Sequence, residues 1–232
     1  MVYLGACDCE QGCVGVCQPA TTEPLLGARG AEAFRPSPQG IHVDHDPGMT
    51  GALVPPDPPL SDGVIRLRRF DVGDVDQIAD ACADPSIQRF LPLPHPYGRL
   101  DAEAYIARTV VDWAEGTKAA FAIVGDDDPN ELLGAINVAV AGAVGNSGYW
   151  IAPAARRRGV ATRALTMLTR WAMAELELGV VILEIRPENE ASQAVARAAG
   201  FHEAGRLDVN TATGKTGGLI FSRIAGTDPA SD

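Results

Sequence analysis

Gly148-Tyr149-Trp150-Ile151-Ala152-Pro153-Ala154-Ala155-Arg156-Arg157-Arg158-Gly159-Val160-Ala161-Thr162 is the stretch that decides how this 232-residue chain is read. A strand ends at Pro153, a short loop follows, and a helix opens at Gly159. Three arginines crowd the helix N-terminus, where the backbone dipole is already positive, and each cation there costs roughly 0.3–1 kcal/mol at a surface site. A sequence that specified only a stable helix would avoid them. They make sense where an anion binds and accepts the free N–H groups of the first turn. Gly159 brings the backbone close to that ligand or supplies a positive φ, and Ala161 keeps the next turn small. The plainer alternative is a solvated basic turn.

Working outward, the helix runs from about Gly159 to Leu178, with Ala161, Leu165, Leu168 and Ala172 recurring at helical spacing, and Gly179 is expected to cap its end. Val180-Val181-Ile182-Leu183-Glu184-Ile185 is a nearly continuous apolar run, as expected of a strand buried on both faces. A short helix spans about Glu190–Ala199, and weak strands near 202–209 and 216–223 close the chain. Upstream, 64–70 suits a first strand. Asp71 is placed to cap a helix from about Gly73 to Ala83, with Val75, Ile78, Ala79 and Cys82 on one face, and Asp84-Pro85 ends it. Residues 85–99 are proline-rich and irregular. Asp101 is expected to cap a second helix reaching Glu115, and strands follow at 119–125, 131–140 and 147–152, the first two joined by the turn Asp126-Asp127-Asp128-Pro129-Asn130. The order β-α-α-β-β-β-α-β-α-β-β describes a mixed α/β (α+β) sheet protein.

Residues 1–60 are different in texture. They hold nine of the 17 prolines, only two basic residues and no sustained period, so they read as a disordered extension. Met49 is a candidate natural start. The domain is expected over 61–225, with a flexible tail at 226–232. Cys7, Cys9, Cys13 and Cys17 are spaced C-x-C-x3-C-x3-C, which fits the paired C-x2-4-C pattern of structural zinc poorly. No His-Glu-x-x-His spacing occurs, so no metal is expected. The net charge of −11 argues against nucleic-acid binding, which needs a basic stripe. It favours a cationic substrate, and it equally keeps a protein soluble. No apolar run approaches the ~20 residues of a membrane span, and no signal-peptide pattern opens the chain, so a cytoplasmic protein without a membrane partner is expected.

Arg156-Arg157-Arg158-Gly159-Val160-Ala161 resembles the Q/R-x-x-G-x-G/A loop of the GNAT N-acetyltransferases. The preceding Y-W-I-x-P strand strengthens the likeness, as do the block Glu184-Ile185-Arg186-Pro187-Glu188-Asn189-Glu190-Ala191-Ser192 and the Gly200-Phe201 pair. The resemblance covers about 64–223. It looks closest to the ribosomal-protein N-terminal (RimJ/RimL-like) branch, to which 91–97 and Asp101-Ala102-Glu103 are also similar.

The resemblance implies a GNAT fold: a central, mostly antiparallel, splayed sheet flanked by helices. It implies acetyl-coenzyme A as cofactor, with the backbone of Tyr149, Trp150 and Ile151 on the pantetheine amides, the segment Arg156, Arg157, Arg158, Gly159, Val160, Ala161 and Thr162 around the pyrophosphate, and Asn189 at the pantetheine arm or the strand splay. Glu184 falls where some members carry a general base; alternatively it is a buried carboxylate paired with Arg186 or a neighbouring strand. Many members place a tyrosine, the general acid, seven residues after the Asn. Here that position is Ala196. Ser192 is the remaining local hydroxyl, able either to donate to the cofactor sulfur or merely to satisfy the first helical turn. The implied activity is transfer of acetyl from acetyl-coenzyme A directly to a primary amine, either a protein N-terminal α-amine or a small-molecule amine, by a monomer or homodimer. A catalytically inactive acyl-coenzyme A sensor or partner subunit on the same fold is the alternative.

Overall fold

The computed structural model describes residues 51–207 and 217–226. The cysteine cluster, the Met49 start and the tail beyond Gly226 lie outside the described residues. The elements run β1 (Leu60–Ser61), β2 (Ile65–Arg68), a 3-10 turn (Val72–Asp74), α1 (Val75–Cys82), α2 (Pro85–Gln88), α3 (Arg99–Ala114), β3 (Lys118–Gly125), β4 (Leu132–Ala141) and β5 (Val144–Ile151). A second 3-10 turn (Pro153–Ala155) leads to α4 (Val160–Glu175), β6 (Val180–Ile185), α5 (Glu190–Ala198), β7 (His202–Leu207) and β8 (Gly218–Ile224). One open sheet takes the order β1-β2-β3-β4-β5-β6-β8-β7. Every neighbouring pair is antiparallel except β5 and β6, which are parallel.

Two apolar clusters lie on opposite faces of the sheet. The larger is built by α4 residues such as Leu165 and Leu168, with Phe121, Ile136, Leu183 and Phe221 from the strands. Trp113, from the end of α3, joins it edge-on to Phe121 (5.2 Å between ring centres), and its indole N–H donates to Ala120 O at 3.1 Å. The smaller cluster holds Val75, Ile78 and Cys82 of α1 and Ala102 of α3 against Ala122, Val124 and Leu132. Cys82 is therefore a core residue, as its place in the helical pattern implies. A largely buried bidentate pair ties β2 to the turn that starts α1: Arg68 donates to both carboxylate oxygens of Asp74, at 2.8 and 2.7 Å.

Several expectations are corrected. Asp71 does cap, accepting from Gly73 N–H (2.7 Å), but the element it caps is the 3-10 turn leading into α1. Asp84 caps a further short helix, α2, with Pro85 at its first position, because the residue that ends one helix can start the next. The cap of α3 is Gly98, and Asp101 reaches back from the third helical position to accept from Gly98 N–H at 2.9 Å. Helix α4 ends before Gly179. Glu177 takes the left-handed conformation (φ 53°), Leu178 N–H donates back to Ala172 O, and the buried Leu178 side chain fixes the turn. Strand β6 is not covered on both faces: Val181, Leu183 and Ile185 are buried, whereas Glu184 is exposed, because α1 and α3 cover the other half of the sheet. Residues 51–60, expected to be outside the domain, contribute a buried Leu53 whose N–H donates to Trp113 O (2.9 Å), as well as the start of β1.

Candidate functional site

Strands β5 and β6 are joined at one end only. Val144 pairs with Val180, Gly145 with Val181 and Asn146 with Ile182; beyond that the two part. Each keeps its ladder with its outer neighbour, β5 with β4 through Ile151 and β6 with β8 through Ile185. Gly145 sits at the middle of the three pairings: a Cβ there would lie 2.7 Å from both Leu178 Cδ1 and Val138 Cγ2. The divergence leaves one edge of β5 without a strand partner from Ser147 onward.

The direction of that edge follows from one bond. Ala152 N–H donates to Leu133 O at 2.9 Å, so Ala152 faces β4. Backbone direction alternates along a strand. Trp150 therefore faces β4 as well, and Tyr149 and Ile151 turn their backbone groups into the gap. Of the three residues expected to offer backbone to a cofactor, Tyr149 and Ile151 turn theirs into the gap and Trp150 does not. The Trp150 side chain packs instead on the smaller cluster, and that of Tyr149 packs on the larger. The two rings leave β5 on opposite faces.

The loop that follows β5 is shaped for an anion. Ala155 and Val160 are buried and pin its ends. Between them Arg157 (φ 62°) and Gly159 (φ 74°) are both left-handed, the alternation that turns successive N–H groups toward one concavity. Gly159 starts α4 without any side-chain cap. The space beyond its Cα is open, with no atom within 4 Å of a Cβ built there, so its conformation, not crowding, requires glycine. Arg157 and Arg158 are exposed and form no ion pair among the described residues. Ala161 and Thr162 are half-buried in the first turn. Arg156 behaves differently from its neighbours. Its guanidinium donates to Ile151 O (3.2 Å), Ser86 Oγ (2.8 Å) and Asp84 Oδ1 (3.4 Å), so it ties the loop to β5 and to α2. The Ser86 hydroxyl beside the Asp84 carboxyl, with a smaller contribution from Arg156 and against a small opposing effect of burial, holds that carboxyl below the usual carboxylate range.

Two side-chain hydrogen bonds bracket the gap, one on each face of the sheet. On the α4–α5 face, Tyr149 Oη and Ser192 Oγ are 2.8 Å apart. Burial pushes the Tyr149 phenol up to about 12, with the Ser192 bond opposing. On the other face, Asn146 Nδ2 donates to Glu184 Oε1 at 3.1 Å. Glu184 thus pairs with a neighbouring strand and not with Arg186, whose guanidinium donates to Arg89 O (3.0 Å). Asn189 caps α5, its Oδ1 accepting from Ser192 N–H at 3.1 Å. Ala196, one turn further on, is fully buried in the larger cluster. Sequence reasoning missed Asn146 and the side chain of Tyr149. The available signal was parity: Asn146 and Trp150 share one face of β5, and Tyr149 takes the other. His95 is exposed in its loop. Among the described residues no three His, Cys, Asp or Glu side chains converge as a metal site, and no helix is long and apolar enough to cross a membrane.

The sheet is thus parted at its one parallel pair, and a basic, uncapped helix N-terminus leads from the open strand. The acetyltransferase (GNAT) domain model matches residues 65–202, more than half of the sequence, and the chain belongs to that family. It is an acetyltransferase, and acetyl-coenzyme A is its cofactor. Among curated proteins no sequence match was found. Solved structures share the fold. RimJ of Mycobacterium smegmatis, in complex with a coenzyme A disulfide, is 23% identical with a TM-score of 0.63 over 72% of this chain and 85% of its own. RimL, the ribosomal L7/L12 α-N-protein acetyltransferase in complex with coenzyme A, is 20% identical with a TM-score of 0.63 over 73% and 98%. The microcin C7 self-immunity acetyltransferase MccE, in complex with acetyl-coenzyme A and AMP, is 17% identical with a TM-score of 0.61 over 71% and 93%.

The residues present fit the cofactor. A polar β5 edge without a strand partner suits the amides of a pantetheine arm, which can pair with it as an added strand does. An uncapped helix start with two free guanidinium groups suits a pyrophosphate.

Proposed function

We propose that this protein moves acetyl from acetyl-coenzyme A directly to a primary amine, either a protein N-terminal α-amine or a small-molecule amine. The observation that carries the proposal is the exposed Glu184 carboxylate, held by Asn146 at the gap on the sheet face opposite Tyr149 and Ser192. An amine attacks only when unprotonated, and α-amines and lysines have ordinary pKa values near about 8 and 10.4. A carboxylate beside the gap serves as the base that removes the proton. On this proposal the backbone of Tyr149 and Ile151 orients the pantetheine arm. The N–H groups of Gly159, Val160, Ala161 and Thr162 hold the pyrophosphate together with Arg157 and Arg158. Arg156 and Asn189 act indirectly, by fixing the loop and the start of α5, and Trp150 forms part of the acceptor wall. When bound, the cofactor supplies an acetyl group on a thiol whose ordinary pKa is about 8.5, a tolerable leaving group near neutral pH. RimL, named for the α-amine of a ribosomal protein, supports the N-terminal class of acceptor. The net charge of −11 supports a cationic one. We place the enzyme in the cytoplasm as a monomer or homodimer, without nucleic acid or membrane as partners.

The test is thiol release from acetyl-coenzyme A across a panel of N-terminal peptides, amino sugars and polyamines, with Glu184→Gln alongside wild type. The expected result is turnover with at least one amine and a kcat lower by about 10²–10³ in Glu184→Gln, with acetyl-coenzyme A affinity retained. Tight cofactor binding without turnover on any amine would favour the sensor alternative. Unchanged kcat in Glu184→Gln would remove Glu184 as the base.

A further inference from the structure

Tyr149 and Ser192 meet across the gap although neither hydroxyl serves the backbone. The N–H of Ser192 is satisfied by Asn189 Oδ1, so the local capping that would normally occupy a serine in a first helical turn is already done by another side chain. Ser192 Oγ lies instead 2.8 Å from Tyr149 Oη, 43 residues away in sequence. The tyrosine ring is packed against the larger core cluster, so the hydroxyl is held by a rigid body on a strand. The helical position that could otherwise bring a hydroxyl here, Ala196, is fully buried and carries none.

We infer that Tyr149 is a positioning residue: its phenol donates to Ser192 Oγ and thereby turns the Ser192 proton toward the sulfur of bound coenzyme A. This rests on the assignment of the gap to the cofactor. The direction of the bond follows from acidity. A phenol is a far stronger acid than an alcohol and is the better donor of the two. A serine hydroxyl has one proton and two lone pairs; once it accepts from Tyr149, its own proton is free to point elsewhere. Among the described residues no protein acceptor competes for that proton. Because burial pushes the phenol up to about 12, well above the thiol's ordinary value of about 8.5, Tyr149 remains a donor while a coenzyme A thiol titrates. A hydrogen bond from Ser192 to sulfur favours the thiolate over the thiol, since bonds to an ionised acceptor are roughly twice as strong as neutral ones. No proton need transfer: as the carbon–sulfur bond breaks, its electron pair goes to sulfur and the Ser192 O–H stabilises the charge.

The experiment titrates coenzyme A itself, bound to the protein, by the ultraviolet absorbance of its thiolate, and needs no acceptor. Wild type should lower the bound thiol's pKa below the free value of about 8.5. Ser192→Ala should reverse this by about tenfold in the thiolate equilibrium, and Tyr149→Phe, which removes one oxygen and keeps the ring, by about threefold. The double variant should match Ser192→Ala alone, because Tyr149 acts through Ser192. Affinity for desulfo-coenzyme A, which lacks the sulfur, should be unchanged in all three. A Tyr149→Phe protein with the wild-type thiol pKa overturns the inference. So do additive shifts in the double variant, which would put Tyr149 directly on the sulfur, and lost desulfo-coenzyme A affinity in Tyr149→Phe, which would make its role one of packing. Wild-type protein that binds no coenzyme A at all overturns the cofactor site and this inference together, and is distinguishable from each of these.

Discussion

Helices α4 and α5 begin in opposite ways. At α5 the Asn189 side chain accepts from the N–H of Ser192 and an acidic residue, Glu190, sits in the first turn; cap and charge both follow what a helix N-terminus prefers. At α4 the first residue outside is a left-handed glycine without a side-chain cap, the first turn has no acidic residue, and the two arginines that precede it form no ion pair among the described residues. One start satisfies itself. The other leaves N–H donors and positive charge facing open space. A chain that caps one helix and leaves the next uncapped, 30 residues apart, has the means to satisfy both. We propose the unsatisfied start as the place where a ligand completes the structure, since local rules fail chiefly at functional sites.

Substituting Gly159→Trp should break this contrast most severely. The new side chain must adopt φ near 74°, a strain of about 1–2 kcal/mol, and it fills the open space in front of the first-turn N–H groups. Acetyl-coenzyme A affinity measured by calorimetry should fall by about 100-fold or more, roughly 2.8 kcal/mol, with the far-ultraviolet circular dichroism preserved. Wild-type affinity in this variant would mean that the start of α4 does not hold the anion. Charge exchange sharpens the same point with opposite signs. Arg158→Glu should raise the stability of the ligand-free protein by about 0.3–1 kcal/mol while weakening acetyl-coenzyme A binding by about tenfold, because it removes a cation that only the ligand needs. The matched change at the other helix, Glu190→Arg, should lower thermal stability by a similar amount and leave affinity alone. If both exchanges moved stability in the same direction, the two helix starts would not differ in kind.

The sequence carried the α4–β6–α5 half of the molecule well because the periods agree there, a 3.6-residue apolar repeat followed by an apolar strand, although Asn189 was read as a cofactor contact and is a helix cap. It marked the loop as unusual because three arginines before a helix contradict helix energetics. Only the family resemblance carried the parting of β5 and β6, as a splayed sheet; period and punctuation could not, since pairing is decided by which strands the outer neighbours β4 and β8 hold, a tertiary matter. Parity along β5 was visible, but not which parity faced which cluster, and so Tyr149 was read as backbone alone and Asn146 not at all. Glycine's general preference for the left-handed turn pointed to Gly179, whereas Glu177 takes it because burial of Leu178 compensates for the cost. Arg156 looked like its two neighbours, and only the folded chain brings Asp84 and Ser86, about 70 residues earlier, beneath it.

Removing the α5 cap is the next smaller perturbation. Asn189→Ala should cost about 1 kcal/mol of stability, read as a lower urea midpoint. The amide does not titrate, so the loss should be uniform with pH. The smallest expected effect lies at α4, which is fixed by the Arg156–Asp84–Ser86 anchor and not by a local cap. The Asp84 carboxyl is held below its ordinary value, first by the Ser86 hydroxyl and then by Arg156. A carboxyl with a depressed folded pKa contributes stability that is fully present above about pH 4 and is lost as pH falls through the folded value. Asp84 is half-buried and its Arg156 partner is still open to solvent, so the size is a few tenths of a kcal/mol at most, about that of an exposed ion pair. Asp84→Asn should therefore lower the urea midpoint slightly at pH 7 and converge with wild type as the pH falls below about 4, while Asn189→Ala stays parallel to wild type throughout. A parallel Asp84→Asn profile would mean that the carboxylate charge contributes nothing to the anchor, leaving Arg156 held by Ser86 and the Ile151 carbonyl alone.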